Sequence, residues 1–385
     1  MGAEFISKDF QYLTSQTKVS HKGKNLKTSY LINIIHSLLM KYYFSNNSEI
    51  KFNLSSTILR KKYGEFYNYY ISYLCENGFI SLVSKYYVGK KTNSYKIVSN
   101  SIYDVVRWKN NDKILLKKQQ YRNETSITEM NKSAIPSDIR VKLIESLDNI
   151  VIDYEGSINF IENLRTKKLI DESKYHKNII SIENINDGNI YFNFDDYGRF
   201  HTNFTILKRE IRNNFLTINN EMVAEIDIPN SQPLFFGAIL KKDLPHINGD
   251  TKRYFELVRE GLLYDDIIAN SKLTKRNEAK ELVYKVLFGS NKSKKVNKIF
   301  KKLYPSVYEY VLEFKENRKN YKELSHELQK MESKFLFNGV LREVYDTYPD
   351  ITLFTIHDSI IFPKSYYSGV KVIFDKHFEN LVKNI

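Results

Sequence analysis

The sequence of 385 residues contains one cysteine, Cys75. This excludes an intramolecular disulfide and any zinc site built on several thiolates. Cys75 follows Tyr69, Tyr70, Tyr73 and Leu74 in an apolar pattern of helical spacing, which reads as a buried bystander. No run reaches the ~18 apolar residues of a membrane-spanning helix. Met1 to Lys18 lacks the apolar core of a secretion signal. The expectation is a soluble, cytoplasmic protein with no membrane partner. Internal repeats and long low-complexity tracts are absent as well.

Basic residues and aromatic rings are abundant. Lys and Arg number 59 against 45 Asp and Glu, a net charge of +14. Such an excess favours a polyanionic partner, although the Lys, Asn, Ile and Tyr usage of an AT-rich source produces the same balance. With 29 Tyr and 24 Phe among 42% apolar residues, the cores should be rich in rings, and some tyrosines are candidates for stacking on bases. At roughly 100–200 residues per domain, the length allows two or three domains.

Residues 1–27 are polar and irregular and read as an arm. Helical spacing then covers Ser29 to Phe44, Leu54 to Arg60 and Gly64 to Glu76. Two strand-like runs follow, 80–87 and 94–98, flanking the basic tip Val88 to Asn93. Helices followed by a basic hairpin predict a winged-helix-like module in residues 1–110, a form that contacts nucleic-acid backbone. A small packing domain with an exposed Lys-rich tip fits equally well. Residues 101–135 read as a linker or exposed helix, 137–170 as helical, and 173–220 as strand-like pieces with turns. Residues 111–220 form a linker and a thumb-like helical region. From 221 to 385 strands alternate with longer helices, giving an α/β (α+β) class.

Three motifs carry chemistry. In Glu225-Ile226-Asp227-Ile228-Pro229-Asn230-Ser231-Gln232, a short strand ends at Asp227, ahead of a helix from about Ser231 to Leu240. A carboxylate there suits a metal at a cleft, although alone it reads better as a helix N-cap or turn aspartate. In Thr355-Ile356-His357-Asp358-Ser359, Asp358 lies at the tip of a hairpin. Between them, Lys275 to Phe288 predicts a helix with Thr274 as N-cap. Arg276, Lys280, Tyr284 and Phe288 recur every four residues and share one broad face. Arg offers a fork and Lys a compact charge to phosphate oxygens, and the rings suit a sugar and base. Two carboxylates and a cationic face are the equipment of two-metal phosphoryl transfer.

At these residues, over about 195–363, the chain resembles the family A DNA polymerases and the single-subunit bacteriophage-type RNA polymerases. Asp227 matches motif A, Arg276-x3-Lys280-x7-Phe288-Gly289 matches motif B, and His357-Asp358 matches motif C. Gly198-Arg199-Phe200-His201 and Gln329 are weaker matches to elements that approach the primer–template. The resemblance implies a right-hand fold of palm, fingers (about 241–320) and reduced thumb. It implies that Asp227, the Ile228 carbonyl and Asp358 bind two Mg²⁺, with Mn²⁺ as a substitute. Arg276 and Lys280 would grip a nucleoside triphosphate, with Lys280 protonating pyrophosphate. Tyr284, Phe288 and Gln232 would contact the nucleotide, and Arg199, Gln329 and His357 the primer–template.

Three departures bear on the sugar. Ser359 replaces a Glu of the DNA enzymes, as in the phage-type RNA polymerases. Gln232 stands for the Glu that gates against ribose. Phe288 replaces a tyrosine whose hydroxyl selects ribose. The balance favours a DNA polymerase, without a convincing proofreading site. An RNA polymerase or primase of the same fold is the first alternative, and a non-catalytic DNA-binding replication protein the second. The compact form suits a phage, plasmid or mobile element, with a replication protein as a further partner.

Overall fold

The structure is a computed structural model that describes residues 3–44, 51–85, 93–98, 105–109, 112–114, 135–244, 247, 249–290, 297–318 and 320–385. The chain is mixed α/β and divides into two compact units. One comprises 1–130, 151–191 and 202–216, the other 131–150, 192–201 and 217–385. The division is not sequential, so each unit draws on several of the segments that composition separates.

The first unit centres on the helix Thr28–Phe44. Leu31, Ile32, Ile34, Ile35, Leu38 and Leu39 are all at most 2% exposed, so the helix is apolar on nearly every side and must lie inside. Phe52–Asn53 follows as a strand, then the helices Ser56–Tyr63 and Tyr67–Glu76, then the strands Ile80–Ser84 and Ser94–Ile97. The last strand lies between the other two in an antiparallel sheet. Gly64, at φ 86°, makes the left-handed turn between the two helices. The basic tip lies largely outside the described residues, which stop at 85 and resume at 93.

Two expectations change in this unit. Residues 3–27 are not an irregular arm. Ala3–Ser7 pairs antiparallel with Val105–Lys109, and Lys18–His21 forms a hairpin with Lys24–Lys27. The hairpin turns on Lys22 and Gly23, both at positive φ. The partner of the first strand is about 100 residues away, beyond the reach of a local pattern. The second change is at Glu172–Asn186, which is a helix rather than strand-like pieces. Its buried Tyr175, Asn178, Ile182 and Ile185 recur at helical spacing, and Asp171 caps it by accepting from Lys174 N at 2.7 Å.

The second unit holds the strands Phe354–Ile356, Ser359–Pro363 and Glu221–Asp227, paired in that order. Val223 pairs with Pro363 and Asp227 with Ser359 in antiparallel register. Phe354, Ile360, Ile361 and Phe362 are fully buried. Such strands, buried on both faces, read as continuous apolar runs rather than alternating ones. Ser137–Leu147 packs nearby, with Ser146 Oγ accepting from Leu353 N at 3.3 Å. Helices fill the interval between the two long strands: Ser231–Asp243, Gly249–Glu260, Leu263–Ala269, Arg276–Phe288, Asn297–Leu303, Pro305–Glu316 and Glu323–Ser333. The last continues through a π-helical stretch, Lys334–Val340, into Leu341–Thr347.

Truncating Phe362 tests this core. Phe362→Ala should lower stability by about 3–5 kcal/mol through lost burial and the cavity left behind, read as a drop in the urea unfolding midpoint. A loss under about 1 kcal/mol would mean that the strand is not central.

Candidate active site

Asp227 ends its strand and is exposed, while the next residue turns inward. Ile228 N donates to Asp358 O at 3.2 Å. Residues 227 and 358 therefore lie at adjoining ends of paired strands. His357 and Asp358 form the turn of the hairpin, and His357 takes a left-handed φ of 53°. A non-glycine residue there carries strain of about 1–2 kcal/mol. Ser359 Oγ donates to Ile356 O at 3.0 Å and is buried, so Ser359 closes this turn.

Asp358 is half-buried, and its carboxyl is raised to about 6. Burial is the main cause, followed by the charge of Glu332, with Asp227 adding to it. A backbone hydrogen bond and Lys280 act in the opposite direction. Lys280 and both carboxylates are thus electrostatic neighbours. Tyr284, one turn on from Lys280, is pushed up to about 12 by burial, then by Asp358 and Glu332, with Arg199 opposing. Lys280 Nζ lies 5.4 Å from the Tyr284 ring, which in turn lies 5.3 Å from Phe288.

Arg276 is engaged differently. It opens the helix Arg276–Phe288, and its guanidinium pairs with Asp265 and donates to Gly261 O at 3.1 Å. Both members of the ion pair are about half exposed (52% and 46%), so the contact is weak and can exchange for another anion. The N-cap is Lys275 rather than Thr274. Glu278 Oε2 accepts from the backbone of both residues at 3.1 Å, which moves the helix start by one position.

Glu332 joins the remaining residues. It is 2% exposed on the helix Glu323–Ser333. Its carboxylate accepts from Arg199 Nη2 at 2.7 Å and Nε at 3.2 Å, from Ser231 Oγ at 2.5 Å and from Gln232 Nε2. With its amide nitrogen held there, Gln232 keeps a buried Oε1 that has no hydrogen-bond partner among the described residues. Ser333 Oγ donates to Gly198 O at 2.8 Å, stapling the same helix end to the turn that carries Arg199. Asp195 shapes that turn. Its Oδ1 accepts from Tyr197 N and Arg199 N, and its Oδ2 lies 2.8 Å from His201 Nε2. The His201 ring stands 6.1 Å from His357.

Gln329 lies on the half-buried flank of its helix and makes no side-chain hydrogen bond among the described residues. Glu332, absent from the expected set, occupies the inner face instead. Its signal was present in the sequence: Leu324, Leu328 and Glu332 form one stripe at four-residue spacing, so a carboxylate continues an apolar row. A buried carboxylate at such a position requires donors.

Asp227, Asp358 and the Ile228 carbonyl are hard oxygen donors of the kind Mg²⁺ prefers. The raised Asp358 carboxyl marks a negative cluster that a cation would relieve. Among the described residues, no three or more His, Cys, Asp or Glu side chains converge as a metal cage, and no helix is long and apolar enough to cross a membrane. No protein-family model matches the chain, and no curated protein matches it.

The Asp358 shift fixes a pH dependence. Between about pH 4 and 6 the native carboxyl keeps its proton while the unfolded chain has released it. Metal-free stability therefore falls as pH rises through that window, and the full penalty holds above it. Asp358→Asn should stabilise metal-free protein at pH 7.5 by about 1–3 kcal/mol, read as a higher urea midpoint, and change little at pH 4. A midpoint lowered at pH 7.5 would contradict this electrostatic account.

Proposed function

We propose that this protein is a template-directed nucleotidyltransferase that extends a nucleic-acid strand from nucleoside triphosphates, with DNA the favoured product. The observation that carries the reading is the adjacency of Asp227 and Asp358 on paired strands, with Lys280 in the field of Asp358. Two carboxylates at one cleft suit divalent cations, and a cationic helix beside them suits a triphosphate.

Bound magnesium would supply Lewis-acid activation of the primer hydroxyl and neutralise charge on the triphosphate. The protein's own residues have complementary tasks. Asp227, the Ile228 carbonyl and Asp358 hold the cations. Lys280 sits exposed one turn inside its helix, where it can meet phosphate oxygens and donate a proton to the leaving pyrophosphate. Arg276 trades its exposed partner Asp265 for the triphosphate. Tyr284 and Phe288 offer ring faces to the sugar and base. Arg199, Gln329 and His357 are the residues assigned to the primer–template. The helix–strand–helix–helix–hairpin order in the first unit supports a winged-helix-like role in holding nucleic acid.

One observation favours the second reading, RNA synthesis by the same chemistry. The resemblance puts position 232 beside the sugar, and Gln232 Oε1 is a buried acceptor without a partner. A ribose 2′-hydroxyl can donate to such an atom, and a site built to bond a hydroxyl disfavours a substrate that lacks it.

Primer extension on a defined template with Mg²⁺ decides between these readings. Incorporation of deoxynucleotides is expected, and preference for ribonucleotides establishes the second reading. Asp227→Asn and Asp358→Asn should each reduce extension by roughly 10³-fold or more, as loss of several kcal/mol of transition-state stabilisation requires. Full activity in either variant would overturn the mechanism.

A further inference from the structure

Lys315 is 5% exposed on the helix Pro305–Glu316, in the same unit as the candidate site. Its ammonium donates to Val286 O at 2.5 Å and to Gly289 O at 2.8 Å. Both carbonyls belong to the C-terminal end of the helix Arg276–Phe288. Carbonyls in a last helical turn have no donor within their own helix. Gly289 N donates to Lys285 O at 3.0 Å, and Lys315 supplies donors to the carbonyls of Val286 and Gly289. A cation there also meets the negative end of the helix dipole.

The arrangement is costly, because burial pulls the Lys315 ammonium down to about 8. An apolar residue would pack as well without that penalty. Gly289 completes the device. It has extended backbone, and a Cβ at this position would lie 2.4 Å from Lys285 O. Only glycine lets the chain leave so close to the helix end and present its own carbonyl to Lys315. Gly289 thus acquires a structural reason independent of any nucleotide.

We propose that Lys315 is a positioning residue that fixes the axial setting of the helix Arg276–Phe288, and through it the placement of Arg276 and Lys280 against the triphosphate. This inference rests on the nucleotidyltransferase reading above. The helix has 13 residues, about 20 Å. A slip of one position turns its side chains by about 100° and would carry Lys280 away from Asp358. Pinning one end from a second helix prevents that slip, and the two helices then move as one body.

The test compares Lys315→Met, which keeps the stem and removes the donors, with Lys315→Arg, which keeps charge and donors. Amide exchange over residues 286–290 should quicken in Lys315→Met and remain near wild type in Lys315→Arg. On primed template with Mg²⁺, Lys315→Met should raise the KM for nucleoside triphosphate by about 10–100-fold, as for a catalytic group displaced by about an ångström. Primer–template affinity should stay unchanged, and Lys315→Arg should recover most of the loss. Unchanged exchange overturns the clamp. Quickened exchange with wild-type KM, or equal losses in KM and primer–template affinity, overturns the positioning role. If Lys315→Met does not fold, Lys315→Gln, which keeps an uncharged amide donor group on a shorter stem, should give intermediate exchange and KM, and wild-type values there overturn the proposal. A wild-type protein that neither extends a primer nor is thermally stabilised by nucleoside triphosphate overturns the function itself, while the exchange comparison still judges the clamp separately.

Discussion

The candidate site depends on the antiparallel pairing of Glu221–Asp227 with Ser359–Pro363. These strands are separated by about 130 residues of mostly helical chain, and their register alone decides whether Asp227 and Asp358 adjoin. Side chains alternate along a strand, so a one-residue slip would send every side chain of one strand to the opposite face. The buried run from Ile360 to Phe362 makes such a slip expensive. The core thereby fixes the geometry of a polar site that burial and like charge both oppose, and the raised Asp358 carboxyl reflects burial first and the neighbouring carboxylates second.

Glu332 extends the same logic outward. Its carboxylate gathers Arg199, Ser231 and Gln232, which come from elements 100 and more residues away in sequence. Leaving a buried carboxylate unpaired costs several kcal/mol, so each of its donors is held in place by the need of the others. Lys315 acts in a comparable way at the far end of the cationic helix. The site is therefore framed by two buried charges that do not touch the proposed substrate. One orients the groups beside Asp227, and the other anchors the helix that carries Arg276 and Lys280.

Local features of the fold were legible in the sequence. The helix Thr28–Phe44, the helix–helix–hairpin run to residue 97, the strand ending at Asp227 and the turn at His357-Asp358 all follow from short-range spacing and turn chemistry. Features that depend on distant partners were not legible. The strand Ala3–Ser7 takes its identity from Val105–Lys109. The stripe Leu324, Leu328 and Glu332 marks Glu332 as inward-facing, but its donors come from two distant elements, the turn at Arg199 and the helix that opens with Ser231-Gln232. Ser359 read as a clue to the sugar, and the part its hydroxyl takes in closing the turn is not visible from spacing. The helix Glu172–Asn186 was obscured because its isoleucines favour strands, and the packing of Ile180 and Ile182 overrides that preference.

The central claim is that Asp227 and Asp358 form one divalent-metal site with the triphosphate. Electron paramagnetic resonance of Mn²⁺ with a non-hydrolysable nucleoside triphosphate tests it most directly. The account predicts spin-coupled Mn²⁺ ions about 3.5–4 Å apart in the wild-type protein, and loss of the coupling in both Asp227→Asn and Asp358→Asn. Mn²⁺ that binds without coupling, or coupling that survives either substitution, would contradict it.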